Sequence, residues 1–234
     1  MKIMRLLLSL ATLPFAAHAA PAPAPAVGAC LAAVKQELRL AWPENHTVNI
    51  VAFGHSVPAG YFATPSVHGR EAYPRLIADG LDRLYPTAVI NVITSAVGGE
   101  NSSQGLLRFR REVLGHSPRV IMIDYGLNDR GLTVAQSRSN LMSMIGEARS
   151  VRACVVLMTP SIDLSGDPPL SKSTLLQQVE MIRSLARTQG LPLADTYAAF
   201  QAYQGERQEL MAQSNHPNAK GHQLIAKQVI ELFK

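Results

Sequence analysis

Short apolar, β-branched runs take turns along this chain with longer segments whose apolar residues recur at helical spacing, and that alternation constrains its fold most. Residues 48–53, 88–93, 120–125, 154–158 and 191–194 read as strands. A short helix is expected at 31–41, another at 71–84 with Pro74 near its first turn, where a missing N–H is tolerated. The next pairs Leu106 with Val113 and Leu107 with Leu114 on one face. Val134, Leu141, Met144, Ile145 and Ala148 mark a further helix. The helix at 173–188 buries Leu175, Val179, Ile182 and Leu185, and the last carries Ile225, Val229, Leu232 and Phe233. Strands alternating with amphipathic helices give a parallel sheet covered on both faces, an α/β fold. No internal repeat and no composition break after residue 27 interrupts the pattern, so residues 28–234 read as one domain.

The first nineteen residues stand apart. Lys2 and Arg5, the apolar centre 6–15 and Ala17-His18-Ala19 have the order of a secretory signal peptide. Residues 20–27 alternate proline and alanine, as an extended linker does. No other apolar run reaches the length of a membrane helix, so an exported chain, periplasmic or secreted, without stable membrane insertion is expected. Residues 1–19 hold two of the 22 cations and none of the 17 acids, which leaves +3 on the remainder. That balance, with no basic block and no interleaved aromatics, argues against a nucleic-acid partner. Val27-Gly28-Ala29-Cys30 faintly resembles a lipoprotein box, but the Pro/Ala tract separates it from the apolar centre. Cys30 and Cys154 are the only cysteines; export permits a disulfide, and a buried thiol at Cys154 fits its apolar run equally well. Oligomeric state has no signature here.

Every suggestive loop follows a strand. Ser56 lies in Gly54-His55-Ser56 after the first, Gly99 in Val97-Gly98-Gly99-Glu100-Asn101 after the second, and Asn128 in Gly126-Leu127-Asn128-Asp129 after the third. His216, in His216-Pro217-Asn218, precedes the last helix. In a parallel sheet the strands' carboxyl ends share one edge, where open α/β sheets hold their ligands. Acyl transfer needs this set: a hydroxyl to attack, an imidazole to take its proton, and N–H donors where the carbonyl oxygen becomes an anion. Each residue alone is also an ordinary turn or cap residue. Their joint occurrence in this order favours chemistry.

These blocks resemble those of the SGNH (GDSL) hydrolases, and the resemblance runs from Val48 to the C-terminus. It implies a flavodoxin-like three-layer αβα sandwich with a five-stranded parallel sheet, and ester hydrolysis of a small-molecule substrate without metal or cofactor. It assigns Ser56 as nucleophile, His216 as base, and the Ser56 and Gly99 amides with the Asn128 side chain as oxyanion donors. Tyr61 and Phe62, in the loop 58–69, are expected to line the substrate pocket, together with the loop 160–169.

Two departures stand out. His55 replaces the aspartate usual before the nucleophile, which is expected to change loop support without removing chemistry. Gln213 occupies the position three before the histidine where the family carries its triad acid. Gln213 could accept the Nδ1–H bond itself; otherwise a main-chain carbonyl within 211–215 or a carboxylate nearby must do so, Asp195 before Asp163. Gln213 also keeps open a different class, an exported carbohydrate- or lipid-binding protein with a degenerate hydrolase site.

Overall fold

The computed structural model describes residues 28–165 and 173–234. The expected signal peptide, the 20–27 linker and residues 166–169 of the expected pocket loop lie outside them. Five parallel strands, β1 (Thr47–Gly54), β2 (Val89–Ala96), β3 (Val120–Asp124), β4 (Cys154–Met158) and β5 (Leu193–Ala194), form one sheet in the order β2-β1-β3-β4-β5. From β1 the chain steps outward to β2, then returns past β1 to β3, so the sheet reverses direction between β1 and β3. This is where such sheets open a crevice at their carboxyl edge.

Successive strand residues point to opposite faces, so each buried strand feeds two layers. Val48, Ile50 and Ala52 of β1 pack with Leu31, Val34 and Leu38 of α1 (Ala29–Leu38), Tyr73, Ile77 and Leu81 of α3 (Tyr73–Leu84), and Ile225 and Val229 of α8 (Ala219–Leu232). Val51 and Phe53 pack on the other face with Phe109 of α4 (Ser102–Glu112), Met144 and Ile145 of α5 (Val134–Ser150), and Ile182 and Leu185 of α6 (Thr174–Gln189). The Phe53 ring meets Phe109 and Tyr125 edge-on at 5.4 and 5.2 Å. Pairs of this kind add about 0.5–1.5 kcal/mol beyond their buried area.

Several elements differ from expectation. β2 runs on to Ala96 because it pairs with β1 along its whole length, Thr47 with Val89 through Gly54 with Ala96. It is an edge strand and half-exposed, so Thr94 and Ser95 carry no apolar signature. In α4 the inward face is Ser102, Gly105 and Phe109, followed by Val113, while Leu107 is 89% exposed. The expected Leu107–Leu114 face fails because small residues, not leucines, let this helix approach the sheet. Lastly, the one-turn α2 (Ser56–Ala59), α7 (Thr196–Gln201) and the antiparallel hairpin β6 (Met211–Gln213) with β7 (His216–Pro217) had no periodic pattern to announce them.

Cys30 and Cys154 are joined in a disulfide, which ties α1 to the first residue of β4. The alternative readings, a free buried thiol at Cys154 and a lipid-bearing Cys30, are incompatible with that bond.

Candidate active site

Gly54 ends β1 against the Asp124 carbonyl: a Cβ there would come within 2.3 Å of that oxygen. Only glycine lets β1 and β3 close this tightly before the chain turns into α2. His55 N-caps α2, its Nδ1 accepting from the Val57 N–H at 3.3 Å. An aspartate cap would do the same work through a carboxylate oxygen, so the substitution changes the donor partner's acceptor and keeps the cap. The other ring nitrogen, Nε2, faces Asp124 Oδ1 at 3.5 Å, beyond hydrogen-bond geometry, in a fully buried setting.

Ser56 opens α2 with its Oγ 2.9 Å from His216 Nε2. Both residues are buried. His216 Nδ1 lies 3.0 Å from the main-chain oxygen of Phe62. A carbonyl can only accept, so Nδ1 carries the proton and Nε2 is bare toward the serine. Burial draws the imidazole pKa below its usual 6.5; the Phe62 bond opposes this and His55 adds to it.

None of the expected orienting groups meets the ring. Gln213 Oε1 accepts instead from the Thr64 N–H at 3.0 Å, and its Nε2 donates to Asn215. Asp195 caps α7 and is gripped by Arg183 and Thr159. Asp163 binds Arg130 and the Ser165 N–H and hydroxyl. The main-chain oxygen that does face Nδ1 belongs to residue 62, outside the 211–215 segment. Sequence reasoning missed it because a carbonyl is common to all residues and carries no type-specific signal.

Gly99 has φ +78°, a conformation that disfavours side chains. The Asn128 amide, in a 3-10 turn after β3, donates to the Glu100 carbonyl at 2.9 Å, which links the β2 and β3 loops. Below them lies a network the sequence did not reveal. The Glu100 carboxylate takes Arg108 Nε at 2.8 Å and Nη2 at 2.6 Å, and the Tyr125 hydroxyl at 2.6 Å. Arg108 reaches on to the Ser95 hydroxyl and the Gly54 and Ser95 carbonyls, and lies over the Phe53 ring. Glu100 and Arg108 sit eight apart around the start of α4, and a charged pair at that spacing is the one hint the sequence held. Asp129 caps the other side of this loop, accepting from the Ser102 N–H at 2.7 Å; burial pushes its carboxyl pKa up against that bond.

Of the two expected pocket residues, Tyr61 lies at the site. Its ring is 6.2 Å from that of His216, and a Cβ at Gly98 would come within 3.2 Å of it. Phe62 presents its main-chain oxygen to His216. The ring is buried, stacked against His68 at 4.2 Å and His222 at 5.3 Å, because its backbone faces His216.

A family model for the GDSL-like lipase/acylhydrolase family matches residues 52–224. An arylesterase from Vibrio mimicus is 30% identical over 111 residues, 47% of this chain and 52% of that protein. The chain thus spans about half the length of the curated relatives it matches. A lipase/acylhydrolase structure from Enterococcus faecalis superposes with a TM-score of 0.66 at 29% identity, over 79% of this chain and 94% of that one. An acetylxylan esterase structure from Geobacillus stearothermophilus gives a TM-score of 0.69 over 83% and 96%, and at 18% identity speaks for the fold alone. By this match over most of its length, and by the five-stranded sheet it shares with those structures, the chain belongs to the GDSL-like lipase/acylhydrolase family.

Proposed function

We propose that this protein is a serine ester hydrolase that works through an acyl-enzyme on a small acyl ester, with acylated sugars as a candidate class. The observation that carries the reading is the line Ser56 Oγ, His216 Nε2, His216 Nδ1, Phe62 oxygen, at 2.9 and 3.0 Å. In it the serine proton passes to Nε2 as Oγ attacks the ester carbonyl. The oxyanion then develops beside the Ser56 and Gly99 amides and the Asn128 side chain. His216 returns the proton to the leaving alcohol, and a water activated by the same imidazole releases the acyl group. In the Geobacillus esterase, catalytic mutants replace a serine, a histidine and an aspartate three positions before it. The first two types are present here, and Gln213 stands in the third place. The binding-protein alternative rests on Gln213 standing where the triad acid is usual; the Phe62 carbonyl at 3.0 Å from Nδ1 supports the hydrolase reading by offering the ring an orienting partner, though not a charge.

Export through residues 1–19 belongs to the same proposal. The Cys30–Cys154 disulfide suits an oxidising compartment, and among the described residues no helix is long and apolar enough to cross a membrane. Among the relatives' names only acetylxylan esterase points to a short acyl group; arylesterase and thioesterase/lysophospholipase support ester hydrolysis more broadly.

The test is hydrolysis of a chromogenic acetyl ester by the purified mature chain, followed by a panel of acyl lengths. Ser56→Ala is expected to lower turnover by about 10⁶ and Asn128→Ala by about 10²–10³, with the fold intact. Retention of more than about a tenth of the rate by Ser56→Ala, judged against that 10⁶, overturns the assignment.

A further inference from the structure

The main-chain oxygen that orients His216 belongs to a loop, and loops hold a carbonyl in place only as firmly as they are themselves held. The loop 61–67 is tied to its own start by Tyr61 N–H to Ser56 O at 3.0 Å and His68 N–H to Gly60 O at 2.7 Å. Those bonds fix its base. Its far side meets the His216 hairpin at two hydrogen bonds, His216 Nδ1 to Phe62 O and Thr64 N–H to Gln213 Oε1. Gln213 and His216 are partners across the β6–β7 hairpin. Residues directly opposite in an antiparallel pair project to the same face. A carboxylate at 213 would therefore stand beside the imidazole. The glutamine reaches past the ring and takes the Thr64 N–H, two residues beyond the carbonyl that faces Nδ1.

We propose that Gln213 is a positioning residue that acts through the backbone of residues 62–64: by holding the Thr64 N–H it sets the Phe62 carbonyl against His216 Nδ1, so that a main-chain dipole takes the orienting role of a side-chain acid. This rests on the hydrolase reading above and deepens it. Two features of the surroundings agree. Gln213 Nε2 donates to Asn215 Oδ1 at 3.0 Å, which leaves its oxygen turned to Thr64. The Phe62 side chain is stacked between rings at the back of the loop, with His222 in turn accepting the Tyr73 N–H at 3.1 Å, so residue 62 pivots little about its own Cα. Within the loop, Phe62 N–H to Ser66 O at 3.1 Å and Ser66 N–H to Ala63 O at 2.8 Å shape the turn, and Gln213 ties that turn to the hairpin that carries His216.

The test uses the full mature chain and three variants. Gln213→Leu keeps the bulk and removes the acceptor. Gln213→Glu keeps an oxygen that can accept from Thr64. Ser56→Ala separates this question from the hydrolase reading itself. Two readouts are taken: kcat and KM on a chromogenic acetyl ester, and the proton NMR resonance of His216 Nδ1–H, which needs no turnover. The expected result for Gln213→Leu is a fall in kcat of about 10–100-fold with KM nearly unchanged, the scale for misplacing a catalytic group by about an ångström. The Nδ1–H resonance should weaken or move toward the amide region at the same time. Gln213→Glu should recover most of kcat and restore the resonance. The proposal is overturned if Gln213→Leu leaves both readouts as in the parent, or if Gln213→Glu is as impaired as Gln213→Leu while folded. Retention of more than about a tenth of the rate in Ser56→Ala would defeat the serine assignment instead, and no hydrolysis by the parent would defeat the hydrolase reading; in either case the resonance would still report whether Gln213 holds the carbonyl.

Discussion

A base works when one ring nitrogen is bare and the other is held, and His216 meets both conditions without a carboxylate. The missing charge has a consequence in pH. A triad acid stabilises the imidazolium and raises its pKa; a neutral carbonyl does so far less, and burial with the nearby His55 draws His216 below 6.5. The base must be neutral to act. Lowering the pH through 6.5 should therefore leave kcat/KM largely intact, with the decline setting in below that value. A pH–rate profile on an ester stable to mild acid checks this, and an acid limb centred at or above 6.5 would contradict it. The same absence limits rate, since the amide replacement of a triad acid costs serine proteases about 10⁴, largely through the wrong tautomer. Here the tautomer is right, so the deficit should be smaller than that.

Among the elements, α4 is tied to the loop that carries Gly99 and Glu100. Its Asn101 cap accepts from Ser103 and Gln104, and Gln104 returns a bond to the Asn101 N–H, closing a capping box. Gly105 then lies so near the Tyr125 hydroxyl that a Cβ would come within 2.2 Å of it. That hydroxyl donates to Glu100, whose main-chain oxygen holds Asn128. Gly105→Ala should push the tyrosine off Glu100, lowering stability by about 1–3 kcal/mol as overpacking does. Turnover should fall as the Asn128 amide loses its support. Urea unfolding and ester assays on the same sample check both, and a variant of parental stability and rate would show that Tyr125 does not brace the loop.

At the scale of the whole molecule, the disulfide and the site occupy opposite ends of the sheet. Cys154 begins β4, at the amino edge, whereas Ser56, Gly99 and Asn128 follow the carboxyl ends of β1, β2 and β3. The bond closes a loop across a sequence separation of 124. Loops of that length confer about 2–5 kcal/mol, largely by restricting the unfolded chain. Cys30→Ala with Cys154→Ala should thus lower the urea midpoint accordingly while leaving kcat at 25 °C within about twofold, as expected for a change that leaves the site's contacts untouched. An unchanged midpoint, or a folded variant with collapsed activity, would go against this separation of roles.

What the sequence determined by itself is whatever depends on side-chain type and local order. Alternating buried runs such as 120–125 and 154–158 announced a parallel sheet because a strand covered on both faces must be apolar throughout. Parallel pairing then put Ser56, Gly99 and Asn128 on one edge, and the hairpin carrying His216 completed the set. The tertiary structure decided what depends on atoms that every residue shares or on distances no local pattern encodes. The Phe62 carbonyl lies 154 positions from His216 and is chemically like any other, so only the packing of the 61–67 loop could single it out. Phe62 itself shows the limit: its aromatic ring drew attention in the sequence, and the fold set its main-chain oxygen against His216. The choice between a disulfide and a free thiol, and the pairing of Glu100 with Arg108 and Tyr125, waited on the same thing, the meeting of helices with strands in three dimensions.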